Sequence, residues 1–136
     1  MRVHVKEQAE DFRRLGERFG AQWTPTILEI DPEGVERHRI EGFLPAEDLI
    51  AQLMLGLAHD AFRREDWADA GRRFHAIVEE LPDSEAAPEA EYWAGVARYK
   101  ATGDAHALQE TAQFFSNHFQ DSAWAKRASV WARPAA

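Results

Sequence analysis

The side chains of this sequence that could do chemistry are its histidines, carboxylates and serines, because the sequence contains no cysteine. Without cysteine it has no disulfides, zinc–thiolate sites or cysteine nucleophiles. A metal site would need histidines paired at i, i+4 spacing, which the six histidines lack. They are His4, His38, His59, His75, His106 and His118. We therefore predict no metal site and no cofactor.

General acid or base catalysis has equally little support in the sequence. His75 is close in sequence to Glu79 and Glu80, but no further reactive side chain converges on them. The sequence contains neither a glycine-rich phosphate loop nor the nucleophile motif of serine hydrolases. Its serines fit helix caps or helix positions: Ser84, Ser116, Ser122 and Ser129. We predict no catalytic residue.

Composition and charge narrow the function classes further. The 136 residues are 45% apolar and include five tryptophans and eight phenylalanines, which is enough for a folded core. The net charge of −8 disfavours nucleic acid as a partner. The apolar stretch at residues 49–57 is too short to span a membrane, and the amino terminus lacks the apolar region of a signal peptide. We therefore expect a soluble, cytoplasmic protein.

The first part of the chain alternates strand and helix patterns. Val3 and Val5 alternate as in a short strand, and apolar residues at helical spacing predict a helix over residues 8–19. Residues 26–30 are strand-like and end at Asp31-Pro32-Glu33-Gly34, a turn sequence. Residues 35–40 alternate again. We predict an antiparallel hairpin from these two strands, followed from about Pro45 by a helix.

The second part is helical throughout by pattern, and it resembles itself at an offset of 38 residues. A matched Asp-Ser pair precedes a helix in each copy, and we expect the aspartate and serine side chains to cap free backbone donors of that helix. The matched pairs are Ala61 and Tyr99, Asp66 and Asp104, Ile77 and Phe115, Leu81 and Phe119, Asp83 and Asp121, Ser84 and Ser122, Ala90 and Ala128, and Trp93 and Trp131. The two repeated tryptophans are most simply core residues between helices, and a peptide groove is the alternative.

Three motifs make this part similar to the tetratricopeptide family of helical repeats. They are Trp67-Ala68-Asp69-Ala70, Leu81-Pro82-Asp83-Ser84 and Ala90-Glu91-Tyr92-Trp93-Ala94-Gly95. The longer offset and the small number of copies depart from that family. A helical bundle with a chance spacing would look alike and remains an alternative.

The first part resembles the carboxy-terminal half of a thioredoxin-like domain, through Trp23-Thr24-Pro25-Thr26-Ile27-Leu28, the Asp31–Gly34 turn, Gly42-Phe43 and a closing helix. The resemblance implies that Thr24-Pro25 is a cis peptide and that Gly42 shapes the same surface. It also implies that Trp23, Thr24, Pro25 and Gly42 contact an extended polypeptide. A core position for Trp23 is the alternative.

The family's Cys-x-x-Cys half would precede Val3, so we expect that the natural protein continues upstream of Met1 and carries the cysteine pair there. Because a central strand is then missing from this chain, we also expect a homodimer that completes the sheet. Direct pairing of the Val3 strand with its neighbour in a reduced sheet is the alternative.

The predicted fold is thus α/β plus all-α. A partial thioredoxin-like β-α-β-β-α unit at residues 1–57 is followed by tetratricopeptide-like hairpins at residues 58–136. The leading function is a non-catalytic protein- or peptide-binding scaffold. The alternative is a fragment of a thiol-disulfide oxidoreductase.

Overall fold

The computed structural model describes residues 8–21 and 25–132. The chain forms two compact units, Met1–Leu44 and Pro45–Ala136. The predicted Val3 strand, together with Trp23, Thr24 and the Thr24-Pro25 peptide bond, lies outside the described residues.

In its described residues, the first unit contains the predicted helix and the predicted hairpin. Helix α1 spans Ala9–Phe19 and ends at Gly20, whose φ of 62° is readily adopted by glycine. Strands β1 (Thr26–Ile30) and β2 (Glu36–Glu41) pair antiparallel, with Thr26 opposite Glu41. The alternating residues therefore do form the hairpin that the turn sequence indicated.

Asp31 organises the hairpin turn. Its carboxylate accepts the Val35 N–H at 2.9 Å and pairs with Arg37 at 2.7 Å. These interactions, the Val35 N–H foremost, hold the pKa of Asp31 below its ordinary value. Gly34 has a φ of 82°, which lets the chain leave the turn without strain.

Arg39 joins the hairpin to the end of α1. Its guanidinium pairs with Glu36 at 2.6 Å and with Glu41 at 2.9 Å on its own strand. It also donates to the free carbonyl oxygens of Phe19 and Gly20 at the carboxy-terminal end of α1. One side chain thus fixes the hairpin against the helix within this unit.

The second unit is helical, as predicted. Its helices are α2 (Ala46–Arg63), α3 (Trp67–Glu80), α4 (Ala87–Thr102), α5 (His106–Asn117) and α6 (Ala123–Ala128), followed by a 3₁₀ turn, Ser129–Trp131. Successive helices pack on one another. The largest fully buried side chains are Leu55, Phe74, Ile77 and Thr111. Alanines fill much of the remaining core, which lets the helices approach closely.

Two helical hairpins, α2–α3 and α4–α5, follow one another at the offset found in the sequence. Asp66 and Asp104, 38 residues apart, lie at their turns. The Asp66 carboxylate accepts the Asp69 N–H at 3.2 Å, and the Asp104 carboxylate accepts the His106 N–H at 2.9 Å. The same residue type therefore starts the second helix of each hairpin.

The predicted serine caps are correct for one of the two residues. Ser122 caps α6, since its hydroxyl accepts the Ala125 N–H at 3.0 Å. The prediction is wrong for Ser84, which is buried and donates its hydroxyl to the Leu81 carbonyl at 2.7 Å. Helix α4 begins later, at Ala87, and the Glu85 N–H is taken by the Asp48 carboxylate of α2.

The predicted domain boundary between residues 57 and 58 lies inside α2, whereas the compact units divide between Leu44 and Pro45. That a thioredoxin-like unit ends at residue 57 and tetratricopeptide-like hairpins begin at residue 58 stays a prediction. None of the described helices is both long and apolar enough to cross a membrane.

Candidate binding groove

A groove of about 1170 Å³ lies in the helical unit between α3, α4 and α5. Apolar side chains form most of its walls, and charged groups are spread along it. Small residues on α3 and α4 leave the space, because Ala68, Gly71, Ala94 and Ala101 project little into it. The larger lining residues are Trp67, Arg72, His75, Val78, Glu79, Pro82, Asp83, Glu91, Arg98, Glu110, Gln113, Phe114, His118 and Phe119.

Glu91 is the buried charged residue of this groove. It lies on α4 and is only 8% exposed. Within the described residues, its side chain makes no hydrogen bond and no ion pair. Burial raises the pKa of Glu91 above its ordinary value, while the weaker fields of Arg98, His75 and His118 act in the opposite direction. The groove therefore contains a largely buried carboxylate that has no hydrogen-bond partner among the described residues.

The cationic and imidazole side chains of the groove already have partners. Arg98 pairs with Glu110 at 3.1 Å, and Arg72 pairs with Asp69 at 2.9 Å. His75 lies 3.1 Å from Glu79. The His118 ring stacks on Phe114 with its centroid 4.3 Å away. None of these groups contacts the Glu91 carboxylate within hydrogen-bonding distance.

An aromatic cluster links α2, α4 and the final 3₁₀ turn of the helical unit. Trp93 packs edge-on against Phe62 and Tyr92, with ring centroids 5.3 Å apart in both pairs. Tyr92 stacks on Trp131 at 4.6 Å. Trp93 packs against the main core cluster, in keeping with its predicted core role. Its indole Nε1 is buried without a partner in the described part of the chain.

Of the four residues predicted to form a binding surface, the structure describes Pro25 and Gly42. The Gly42 N–H donates to the Pro25 carbonyl at 2.9 Å, so these two predicted residues adjoin at the open end of the hairpin. Gly42 has a φ of 84°, a conformation that favours glycine. The next residue, Phe43, is 86% exposed. A binding role for Trp23, Thr24, Pro25 and Gly42 stays a prediction.

The histidines are spread over the chain. Among residues 8–21 and 25–132, no three histidine or carboxylate side chains come together as a set of metal ligands. His59 instead contacts Glu89 at 3.2 Å and lies edge-on to Phe74. This places His59 in a structural contact within the helical unit.

Comparison with known proteins bears on the first unit. Residues 2–55 match the model of a thioredoxin-like domain. This supports a thioredoxin-like domain in the first part of the chain, in agreement with the predicted resemblance. The match ends within α2 and does not extend to the later helices. Neither the curated proteins nor the solved structures gave a match.

Sequence reasoning missed the groove and Glu91. One signal was available in the repeat, because the offset pairs Glu91 with Leu53. A carboxylate that replaces an apolar residue at a repeated helix position is a reason to examine that position.

Proposed function

We propose that this protein is a non-catalytic module that binds a protein partner, with the groove between α3, α4 and α5 as the binding surface. The observation that carries the proposal is the groove itself, which combines apolar walls with a few polar groups. Protein surfaces that bind polypeptides commonly combine these features. Two successive helical hairpins in register also support a tetratricopeptide-like scaffold.

A peptide-display selection against the purified chain tests this function. Binding of the selected peptides is measured by fluorescence anisotropy for two variants, Ala68→Trp and Ala46→Trp. Both alanines are exposed and lie in the first turn of a helix, but only Ala68 lines the groove. We expect Ala68→Trp to weaken binding at least about tenfold, whereas Ala46→Trp leaves it unchanged. Failure to select any peptide, or equal binding by both variants, would overturn the proposal.

A second proposal is that the chain is part of a thiol-disulfide oxidoreductase. The match of residues 2–55 to a thioredoxin-like domain and the Pro25–Gly42 contact favour it. The cysteines would come from residues outside these 136, and Trp23, Thr24, Pro25 and Gly42 would contact the polypeptide substrate. Insulin reduction by the full polypeptide that the gene encodes is the test. We expect activity that depends on a Cys-x-x-Cys pair, and a gene without such a pair excludes this function.

We also propose that the protein is cytoplasmic and forms a homodimer through its sheet. Within the described residues the sheet has two strands, and such a sheet presents edges that can pair with another chain. Light scattering over a concentration series is the test of the dimer. A constant monomer mass contradicts it.

A further inference from the structure

We propose that the groove recognises an arginine or lysine side chain of a partner polypeptide, and that the Glu91 carboxylate is its anchor. This inference rests on the proposed function, because it specifies what the groove binds. It depends on three observations: the burial of Glu91, the charges that surround it, and the size and apolar walls of the groove.

Burial makes an unpaired carboxylate energetically costly. A buried charged group without hydrogen bonds loses its hydration and gains nothing in return, and proteins therefore rarely retain one. Glu91 is 8% exposed and lines the groove, so a ligand in the groove would lie beside its carboxylate. A ligand that carries N–H donors supplies the hydrogen bonds that the described residues do not.

The charges of the groove favour a cationic ligand. The lining includes four carboxylates, those of Glu79, Asp83, Glu91 and Glu110, and two guanidinium groups, those of Arg72 and Arg98. Both arginines are held by other carboxylates, Asp69 and Glu110. The charge of each arginine is therefore already balanced by a carboxylate, whereas Glu91 has no ion-pair partner among the described residues, so the groove attracts a cation more strongly than an anion.

The shape of the groove favours a basic side chain over a small cation. Arginine and lysine carry an aliphatic stem that packs on apolar walls while the charged end reaches a carboxylate. Val78, Ala94 and Phe114 provide such walls. The volume of about 1170 Å³ exceeds the roughly 300–1,000 Å³ typical of small-molecule sites. It therefore leaves room for the residues that flank a basic side chain in a polypeptide.

The test uses randomised synthetic peptides of about a dozen residues in which only the central residue is fixed. The central residue is arginine, lysine, citrulline, norleucine or glutamate, and binding to the full chain is followed by fluorescence anisotropy. Citrulline keeps the shape of arginine without its charge. We expect the arginine and lysine pools to bind at least about tenfold more tightly than the citrulline, norleucine and glutamate pools.

Three variants assign this preference to Glu91. In Glu91→Gln we expect the arginine pool to lose its advantage over the citrulline pool. The matched control is Glu80→Gln, which neutralises an exposed carboxylate of α3 that does not line the groove and should keep the advantage. Thermal unfolding followed by circular dichroism verifies that all three variants fold. A second substitution, Glu91→Arg, should transfer the preference to the glutamate pool.

The outcomes separate this inference from the proposed function. If all pools bind equally, or if Glu91→Gln keeps the arginine preference, the inference is overturned while peptide binding stands. If no pool binds, both are overturned. If arginine amide or spermidine alone binds as tightly as the arginine pool, the ligand is a small cation rather than a polypeptide, which also overturns the inference.

Discussion

The helical hairpins α2–α3 and α4–α5 have nearly the same bounds at the offset of 38 residues, yet different side chains fill them. Where the first has Phe74, fully buried, the second has Ala112. Where the first has Leu53 and Leu57 on α2, the second has Glu91 and Gly95 on α4. At these positions the first hairpin buries the Phe74 ring and leaves Leu57 52% exposed, whereas the second has small or charged residues, of which Glu91 lines the groove.

The difference teaches that the backbone arrangement tolerates two ways of packing. Large side chains stabilise the first hairpin by burial. The second relies on close helix approach, because a Cβ placed on Gly95 would lie 2.0 Å from the Thr111 hydroxyl. The substitutions below test positions within these hairpins and at the junctions that follow them.

The largest expected effect comes from giving the first hairpin the residue of the second. Phe74→Ala removes a fully buried ring that contacts His59 and Phe62, and leaves a cavity. We expect a loss of about 3–5 kcal/mol in the free energy of unfolding, measured by urea denaturation. The control, Phe43→Ala, removes an 86% exposed ring and should change stability by less than about 0.5 kcal/mol. A loss below about 1 kcal/mol for Phe74→Ala would contradict the assigned core.

The two helical glycines provide the next comparison. Gly95→Ala forces a methyl group against Thr111, and we expect a loss of about 1–3 kcal/mol in unfolding free energy. Gly71→Ala is the matched control, because its added Cβ would lie 3.9 Å from the Ala97 Cβ, an ordinary contact. There we expect a gain of about 0.5–1 kcal/mol from higher helix propensity. Equal effects of the two substitutions would show that α4 and α5 do not approach closely at Gly95.

Glu91→Leu installs the residue found at the matched position 53. We expect the free energy of unfolding of this variant at neutral pH to be about 1–2 kcal/mol higher than that of the unchanged chain, because an apolar side chain replaces a buried charge. Stability gained together with loss of the arginine preference would indicate that Glu91 is retained for binding. A less stable variant would contradict the absence of a stabilising partner for Glu91.

Glu91 should also make the stability of the protein depend on pH. Since the pKa of Glu91 is raised in the folded state, its contribution to stability is present below the unfolded pKa and is lost as pH rises through the folded pKa. The free energy of unfolding of the unchanged chain should therefore fall relative to that of Glu91→Gln as pH rises from the acidic range. His75, Glu79, Arg98, Glu110 and His118 line the same groove and are common to both proteins. A difference that is independent of pH would contradict the raised pKa.

The smallest effect is expected at the junctions after each hairpin. Ser122→Ala removes the cap of α6, and we expect a loss of about 1 kcal/mol and faster amide exchange at Ala125. Ser84→Ala at the matched junction removes a donor to the Leu81 carbonyl and should leave exchange in the first turn of α4 unchanged. Faster exchange in α4 would mean that Ser84 acts as a cap after all.

The parts of this fold that sequence could predict are those set by neighbouring residues. The β1–β2 hairpin followed from Asp31-Pro32-Glu33-Gly34, and the helices followed from apolar spacing. Ser84 was predicted wrongly because its role depends on Asp48, 36 residues earlier in the chain, which takes the N–H next to it. The groove is a space between three helices, so no local pattern encodes it. Pro25 and Gly42, which the family resemblance assigns to binding, do lie next to each other. Their binding role also requires a partner molecule, which no backbone pattern specifies.

The stacking of Tyr92 on Trp131 has an optical consequence. Two aromatic rings held 4.6 Å apart at 25° share a fixed, chiral environment, and such environments give rise to circular dichroism in the near ultraviolet. Trp131 belongs to the 3₁₀ turn and Tyr92 to α4, so the signal depends on their remaining docked. The protein therefore carries an intrinsic spectroscopic reporter of whether its last turn is seated on α4, and Trp131→Phe would identify the contribution of that pair.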